Sequence, residues 1–264
     1  MRGKAAALAC GLMLSACQTP PGPVPAEHSG SGLSAEAVAD WSQLVGQRNG
    51  LRAHARFSVD AEEGKGGGPT RIRSRQRLSL ERPSRLRVSM QGPLRTPVAL
   101  LITDGARYEL RGADGSHESG SVHRALLRQL TGLDLDPEQA VNLLLGMPRL
   151  SDHSGSRQAV SLPGGGLRVE VQDVRGLSVG QLDFDAQGRL RAFESGSVAP
   201  ALVVTFDDYA SVDGSPFAHR IEVVTGGARA RLQLWDVELN PELAADSFRV
   251  DAARGSEPSR GQGG

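Results

Sequence analysis

Three stretches of this sequence carry residue types at spacings that could do chemistry. Gly176-Leu177-Ser178-Val179-Gly180 has the G-x-S-x-G spacing that throws a serine nucleophile out of a sharp turn between a strand and a helix. The residues after Ser178 alternate in the manner of a strand, so the helix that such an elbow needs is missing from the pattern. Asp183-Phe184-Asp185-Ala186-Gln187-Gly188, with Glu194 beyond, approaches a calcium loop, whose alternate carboxylates converge on one cation. Gln187 stands where Asp or Asn belongs, and a hairpin turn accounts for Gly188. Gly64 to Thr70 is glycine-rich but lacks the ordered Gly-Lys-Ser/Thr of a phosphate loop. The six histidines (His28, His54, His117, His123, His153 and His219) include no pair at the i, i+4 spacing of a helical zinc motif. No carboxylate pair announces itself either. The expectation is a protein that is not an enzyme and holds no metal.

A thiol is the better candidate. Arg2 and Lys4 precede an apolar run, Ala5 to Leu14, that is too short to stay in a bilayer as a helix. The run ends in Leu14-Ser15-Ala16-Cys17, which resembles a bacterial lipoprotein signal. That resemblance implies removal of residues 1–16 and a diacylglyceryl group on Cys17; the alternative is an ordinary cleaved signal with an incidental cysteine. Gln18 stands where Asp often marks inner-membrane retention in such proteins, which implies the outer membrane, facing the periplasm. Cys10 would leave with the signal, so no disulfide and no thiolate metal site is expected afterwards. The formal net charge is zero, which gives no global field for nucleic acid or an acidic substrate. Gln18 to Gly32, rich in Pro, Gly and Ser, reads as a tether with a random-coil span of about 20 Å.

The elements that follow are mostly strands. Ser34 can cap a helix to about Arg48, with Val38, Trp41, Leu44 and Val45 on one face and Asn49-Gly50 as the stop. From Leu51 the period becomes two: Leu51, Ala53, Ala55, Phe57 and Val59 oppose Arg52, His54, Arg56, Ser58 and Asp60. The next strand carries Arg71, Arg73, Arg75 and Arg77 on one face, and after Pro83-Ser84 another sets Arg85 and Arg87 against Leu86, Val88 and Met90. This cationic ridge reads as a solvated outer face that discourages edge pairing, or as a face for anionic headgroups. Val98 to Thr103, apolar on both faces, reads as a central strand, and Asp104-Gly105 turns into a strand through Leu110.

Two helices then interrupt the sheet and must lie on one of its faces. Ser121 caps the first, with Val122, Leu126, Leu127 and Leu130 on one side and Gly132 at its end. Asp136-Pro137 opens the second, which Gly146 and Pro148 close. Strands resume at Arg157 and recur at Leu167–Asp173, Val179–Asp185, Leu190–Ser195, Leu202–Tyr209, Phe217–Thr225 and Arg229–Leu239. Such even spacing predicts one meander curling toward a barrel.

Several of these stretches resemble the LolB family of outer-membrane lipoprotein receptors, of the LolA/LolB type. They are Leu127-Arg128-Gln129-Leu130-Thr131-Gly132-Leu133, Leu143-Leu144-Leu145-Gly146-Met147-Pro148, and Arg85-Leu86-Arg87 through Gln91-Gly92-Pro93-Leu94. Tyr209, Asp213-Gly214, Pro216 and Trp235 match its closing strands. The resemblance implies a mainly β, α+β fold: a strongly curved antiparallel sheet, or incomplete β-barrel, covered by α-helices around an apolar cavity. It also implies an acceptor of lipoprotein acyl chains, delivered by a periplasmic carrier and placed in the outer membrane. Leu94 matches the family's exposed loop leucine, implicated in membrane insertion, although Arg95 follows where glycine is usual. The inward alternates Phe57, Leu86, Val88, Leu100, Ile102, Leu126, Leu130, Leu144, Leu202, Val204 and Phe206 are the expected cavity lining. Apart from the lipid on Cys17 no cofactor is expected, no nucleic acid is a partner, and the expected state is a monomer. The domain plan is a signal at 1–16, a tether at 17–33, one half-barrel at 34–250 and a disordered tail at 251–264. The competing reading is an envelope interaction lipoprotein of the same fold, its cavity filled by side chains.

Overall fold

The helix expected near the N-terminus forms over Ala35–Gly46 (α1), and its Val38 and Trp41 pack against the core of the sheet that follows. A computed structural model describes residues 35–62, 69–92, 96–148, 154–195, 201–244 and 246–250. The expected signal, the tether with Cys17, the capping Ser34, Leu94 and the tail 251–264 all lie outside the described residues.

Strand β1 (Gly50–Ala61) buries Leu51, Ala53, Ala55, Phe57, Val59 and Ala61, one face of the alternation read from the sequence. On one side β1 pairs antiparallel with β2 (Thr70–Glu81), and the chain meanders on through β3 (Arg85–Gln91), β4 (Pro97–Thr103), β5 (Arg107–Gly112) and β6 (His117–Ser121). Two short helices follow, α2 (Leu126–Thr131) and α3 (Pro137–Leu144). The chain resumes at the opposite edge with β7 (Ser154–Ser161) and returns through β8 (Leu167–Asp173), β9 (Ser178–Phe184), β10 (Leu190–Ser195), β11 (Leu202–Val212) and β12 (Ser215–Thr225). The last strand, β13 (Ala228–Leu239), pairs with both β12 and β1. Two meanders are therefore joined at one seam, β1–β13, into a 13-stranded antiparallel sheet whose edges are β6 and β7.

The sheet is open and curved. Five strand intervals separate β4 from β12, about 24 Å on a flat sheet. Leu101 of β4 and Ile221 of β12 nevertheless line the same small cavity, so the strands between them must curl. Tight turns suit the twist: Asp213 and Gly214 have φ of 50° and 80°, and Gly226 and Gly227 have 56° and 77°, the mirror-image turns that hairpins favour.

Two expectations fail at the first edge. Strand β4 is third from the edge rather than central. The first inserted helix starts at Leu126, not at Ser121, because Ser121 pairs with Arg107 in β6. That edge strand, His-Glu-Ser-Gly-Ser, has no β-branched or apolar residue to signal it. A Cβ at its Gly120 would come within 3.1 Å of the Tyr108 ring, so a larger residue there would push that ring aside. What the helices bury is local: Leu126 and Leu127 of α2, and Val141 and Leu143 of α3, join the same core cluster as the inner face of the sheet.

Candidate functional site

Helix α3 is set by its first residues. The Asp136 carboxylate accepts from the Gln139 amide at 2.8 Å, the Gln139 side chain accepts from the Asp136 amide at 3.0 Å, and Pro137 takes the first helical position. Helix α2 ends where Gly132 turns left-handed at φ 80° and donates to the Arg128 carbonyl. Between these helices and the inner face of the sheet lies a cavity of about 110 Å³. Its wall includes Phe57, Leu78, Leu86 and Val88 from the first meander, Leu127, Leu130 and Leu143 from the helices, and Ile221, Val223 and Leu232 from the second. Among the described residues of its wall, only Gln76 and Thr131 bring polar side-chain atoms: Gln76 donates to the Ser74 hydroxyl at 3.2 Å and Thr131 to the Leu127 carbonyl at 2.7 Å.

A second cavity, about 260 Å³, opens beside the first between α1 and the β9–β10 and β11–β12 turns, and Leu144 and Ile221 line both. Its walls include Trp41, Leu44, Phe206 and Phe217, with Asp40, Arg189 and Arg48 among them and Tyr209 beside them. Arg48 is only 5% exposed. It donates to the Leu145 carbonyl at 2.9 Å, the Pro216 carbonyl at 2.7 Å and the Ser215 hydroxyl at 3.2 Å, while its Nε is buried without a partner. Its guanidinium also lies 5.3 Å from the centre of the Phe217 ring. Burial lowers the Arg48 pKa, against an opposing effect of Tyr209. The Tyr209 hydroxyl is pushed far above its ordinary value, chiefly by burial, and donates to the Leu190 carbonyl.

The expected cavity residues divide. Phe57, Leu86, Val88, Leu130 and Leu144 line the inner cavity, and Phe206 with Leu144 lines its neighbour. Leu126, Leu202 and Val204 are buried in the core cluster but line neither. Leu100 and Ile102 belong to the other face. They stand opposite Ser89 and Arg87, whereas Leu101 stands opposite Val88, so the inward residues of β4 are the odd-numbered ones. Ile102 is still buried, and its cross-strand neighbour Arg87 donates to the Ser247 carbonyl of the C-terminal segment. A strand apolar on both faces does not declare which face is inner, and the register decides it. Leu78, Ile221, Val223 and Leu232 were missing from the expected lining, although each sits on an alternating strand. Arg48 carried no signal, because a lone arginine at a helix end reads as a solvated cap.

The motifs that mimic chemistry are occupied structurally. Ser178 begins β9 after a turn in which Gly176 has φ 80°, and no helix follows it. Arg168 holds the Asp183 carboxylate in two contacts of 2.7 Å, and Asp185 accepts from the amides of Gln187 and Arg189, both at 3.0 Å. Among the described residues no cluster of three His, Cys, Asp or Glu could hold a metal, and no helix is long and apolar enough to cross a membrane.

The profile of the family described as "Outer membrane lipoprotein LolB" matches residues 52–236. The chain belongs to the LolB family. The matched span holds every named wall residue of the inner cavity, whereas Arg48 lies before it. A search of curated protein sequences returns no match. Among solved structures, a LolA superfamily protein of Nitrosomonas europaea is similar with a TM-score of 0.53 at 12% identity, over 83% of this chain and 98% of that one. A lipoprotein-sorting protein domain from Vibrio parahaemolyticus gives 0.43 at 12% identity, over 80% and 94%. The Mycobacterium tuberculosis lipoprotein LppX gives 0.36 at 12% identity, over 81% and 100%. The first of these likenesses shows that this LolB-family chain has the fold of a LolA superfamily protein.

Proposed function

We propose that this chain is an outer-membrane lipoprotein, held by an acyl group on Cys17 and facing the periplasm, that receives the acyl chains of other lipoproteins and places them in that membrane. The observation that carries the reading is the inner cavity, whose wall is hydrocarbon apart from two polar side chains with partners of their own. Moving an acyl chain from water into such a wall is worth about 0.8 kcal/mol per CH₂. Transfer then needs no covalent step, only a second apolar environment of comparable depth. A periplasmic carrier supplies the chain, the receptor works as a monomer, and Leu94 enters the bilayer during release.

At about 110 Å³ the inner cavity falls below the ~300–1,000 Å³ of typical ligand sites. Joined with its neighbour it would enter that range, and Leu144 of α3 is part of the partition. Helices α2 and α3 are therefore the cover, and displacing them admits the chain. The closed volume also favours a second reading, an envelope interaction lipoprotein that carries no lipid.

Uptake of a fluorescent acyl probe by the purified protein separates the two. The transfer reading expects saturable uptake and at least a tenfold loss of affinity in Val223→Trp, which fills the inner cavity. Overpacking of that kind costs about 1–3 kcal/mol, so the folded fraction is read from the same sample by circular dichroism. A folded native protein that leaves the probe in solution establishes the second reading.

A further inference from the structure

The outer face of the seam carries an unbalanced charge. Arg56 on β1 is the cross-strand partner of Arg75 on β2, so two guanidinium side chains start from directly opposed positions. Like charges so placed oppose sheet formation. Arg73 and Arg77 flank Arg75 on the same face, and all four are exposed. Among the described residues none of the four has a hydrogen bond or an ion pair. The acids around them are committed elsewhere. Asp60 binds Arg71 at 2.5 Å, and Glu222 is shared by Arg229 and Arg231. Asp208 accepts from Gln233 at 2.9 Å and faces Arg220, and Asp236 lies 3.3 Å from His54.

One end of the patch is aromatic. Trp235 is opposite His54 across the β1–β13 seam, and His54 is opposite Arg77 across β1–β2. The indole is 36% exposed and stacks on the His54 ring at a centroid distance of 5.9 Å. A cationic field edged by an exposed indole fits the headgroup zone of a bilayer, where tryptophan collects and anionic lipids attract arginine. An acidic protein surface would satisfy the charges without using the indole.

We infer that this outer face, centred on Arg56, Arg73, Arg75 and Arg77 with Trp235 at its margin, docks on the anionic headgroups of a phospholipid bilayer. The inference rests on the lipid-anchor reading, because an acyl group on Cys17 would keep the sheet within reach of the bilayer, about 60 Å of fully extended chain. Docking by this face lays the sheet on the membrane and leaves the inner cavity turned away from it. The four arginines set how long the protein lies down, and the acyl group sets whether it stays.

The test uses the protein as its host secretes and processes it, from Cys17 onward on the anchor reading, in vesicles of phosphatidylcholine alone or mixed with phosphatidylglycerol. Brominated lipid acts as the quencher, and the signal lost in Trp235→Phe isolates this indole from Trp41. Quenching of Trp235 is expected only with the anionic lipid and should fade at high salt. Each Arg→Gln change among the four should lower the docked-to-undocked ratio about fivefold. Thermal unfolding of the same variants should show no loss of stability, since each relieves repulsion on a solvated face. Equal quenching on both vesicles, or none on either, overturns the inference, as does protection of the patch by an acidic protein in place of the bilayer. Failure to float with either vesicle would instead overturn the anchor on Cys17, a distinct result.

Discussion

At Arg48 and Tyr209 burial and ionisation conflict. Arg48 ties the end of α3, through the Leu145 carbonyl, to the start of β12, through Ser215 and Pro216. Replacing it with Met keeps the volume but strands those acceptors, at about 1–3 kcal/mol for each one left buried. Urea unfolding should register that loss. Tyr209 gives a pH signature. Burial raises its pKa in the folded state above the ordinary value of 10.0, so folding disfavours the phenolate. The stability that follows is complete below about pH 10, where both states are neutral, and is lost as the pH climbs toward the folded-state value. A urea-midpoint series should therefore turn down above about pH 10, and Tyr209→Phe should flatten the turn.

Among the elements, α3 is held at its start by a side-chain cap and at its end by Arg48. Asp136→Ala removes the cap at a cost of about 1 kcal/mol. Hydrogen exchange should rise over Pro137–Leu144 while the strands keep their protection, and a bound acyl probe should leave faster. Unchanged exchange there would mean that packing alone holds the helix. Caps of this kind were legible in the sequence, as Asp136-Pro137 and Gly132 were. So was every strand with strict alternation, β1 foremost, because period-two patterning and burial report the same face. The edge strand β6 was not, since five polar and small residues pair there through backbone alone. The inner face of β4 was not either. Leu100, Leu101 and Ile102 are all apolar, and only the register with β3 selects Leu101 for the inner side. Phe57, Leu86 and Val88 therefore lie at the inner cavity where alternation puts them, whereas Leu100 and Ile102 lie on the face that the register turns away.

For the molecule as a whole, the seam between β1 and β13 sets the folding problem. Pairs such as Phe57 with Leu232 and Ala61 with Ala228 join the two ends of the domain, and every other strand pair is closed by a shorter connection. Eleven of the twelve strand pairs among the described residues join consecutive strands, so closing the seam is the one distant event, and long-range β pairing of that kind forms in about milliseconds to seconds. Refolding by denaturant dilution should fall in that range or beyond it, and a chain ending before Ala228 should show no cooperative unfolding. Cooperative melting of that shortened chain would mean that each meander is stable alone.

That closure also bears on synthesis. Strand β1 is made early and its partner β13 last, so one flank of β1 keeps its backbone donors and acceptors open until nearly the whole chain exists. An open flank of that kind is a template for strands of other chains, and the final hairpin is what removes it.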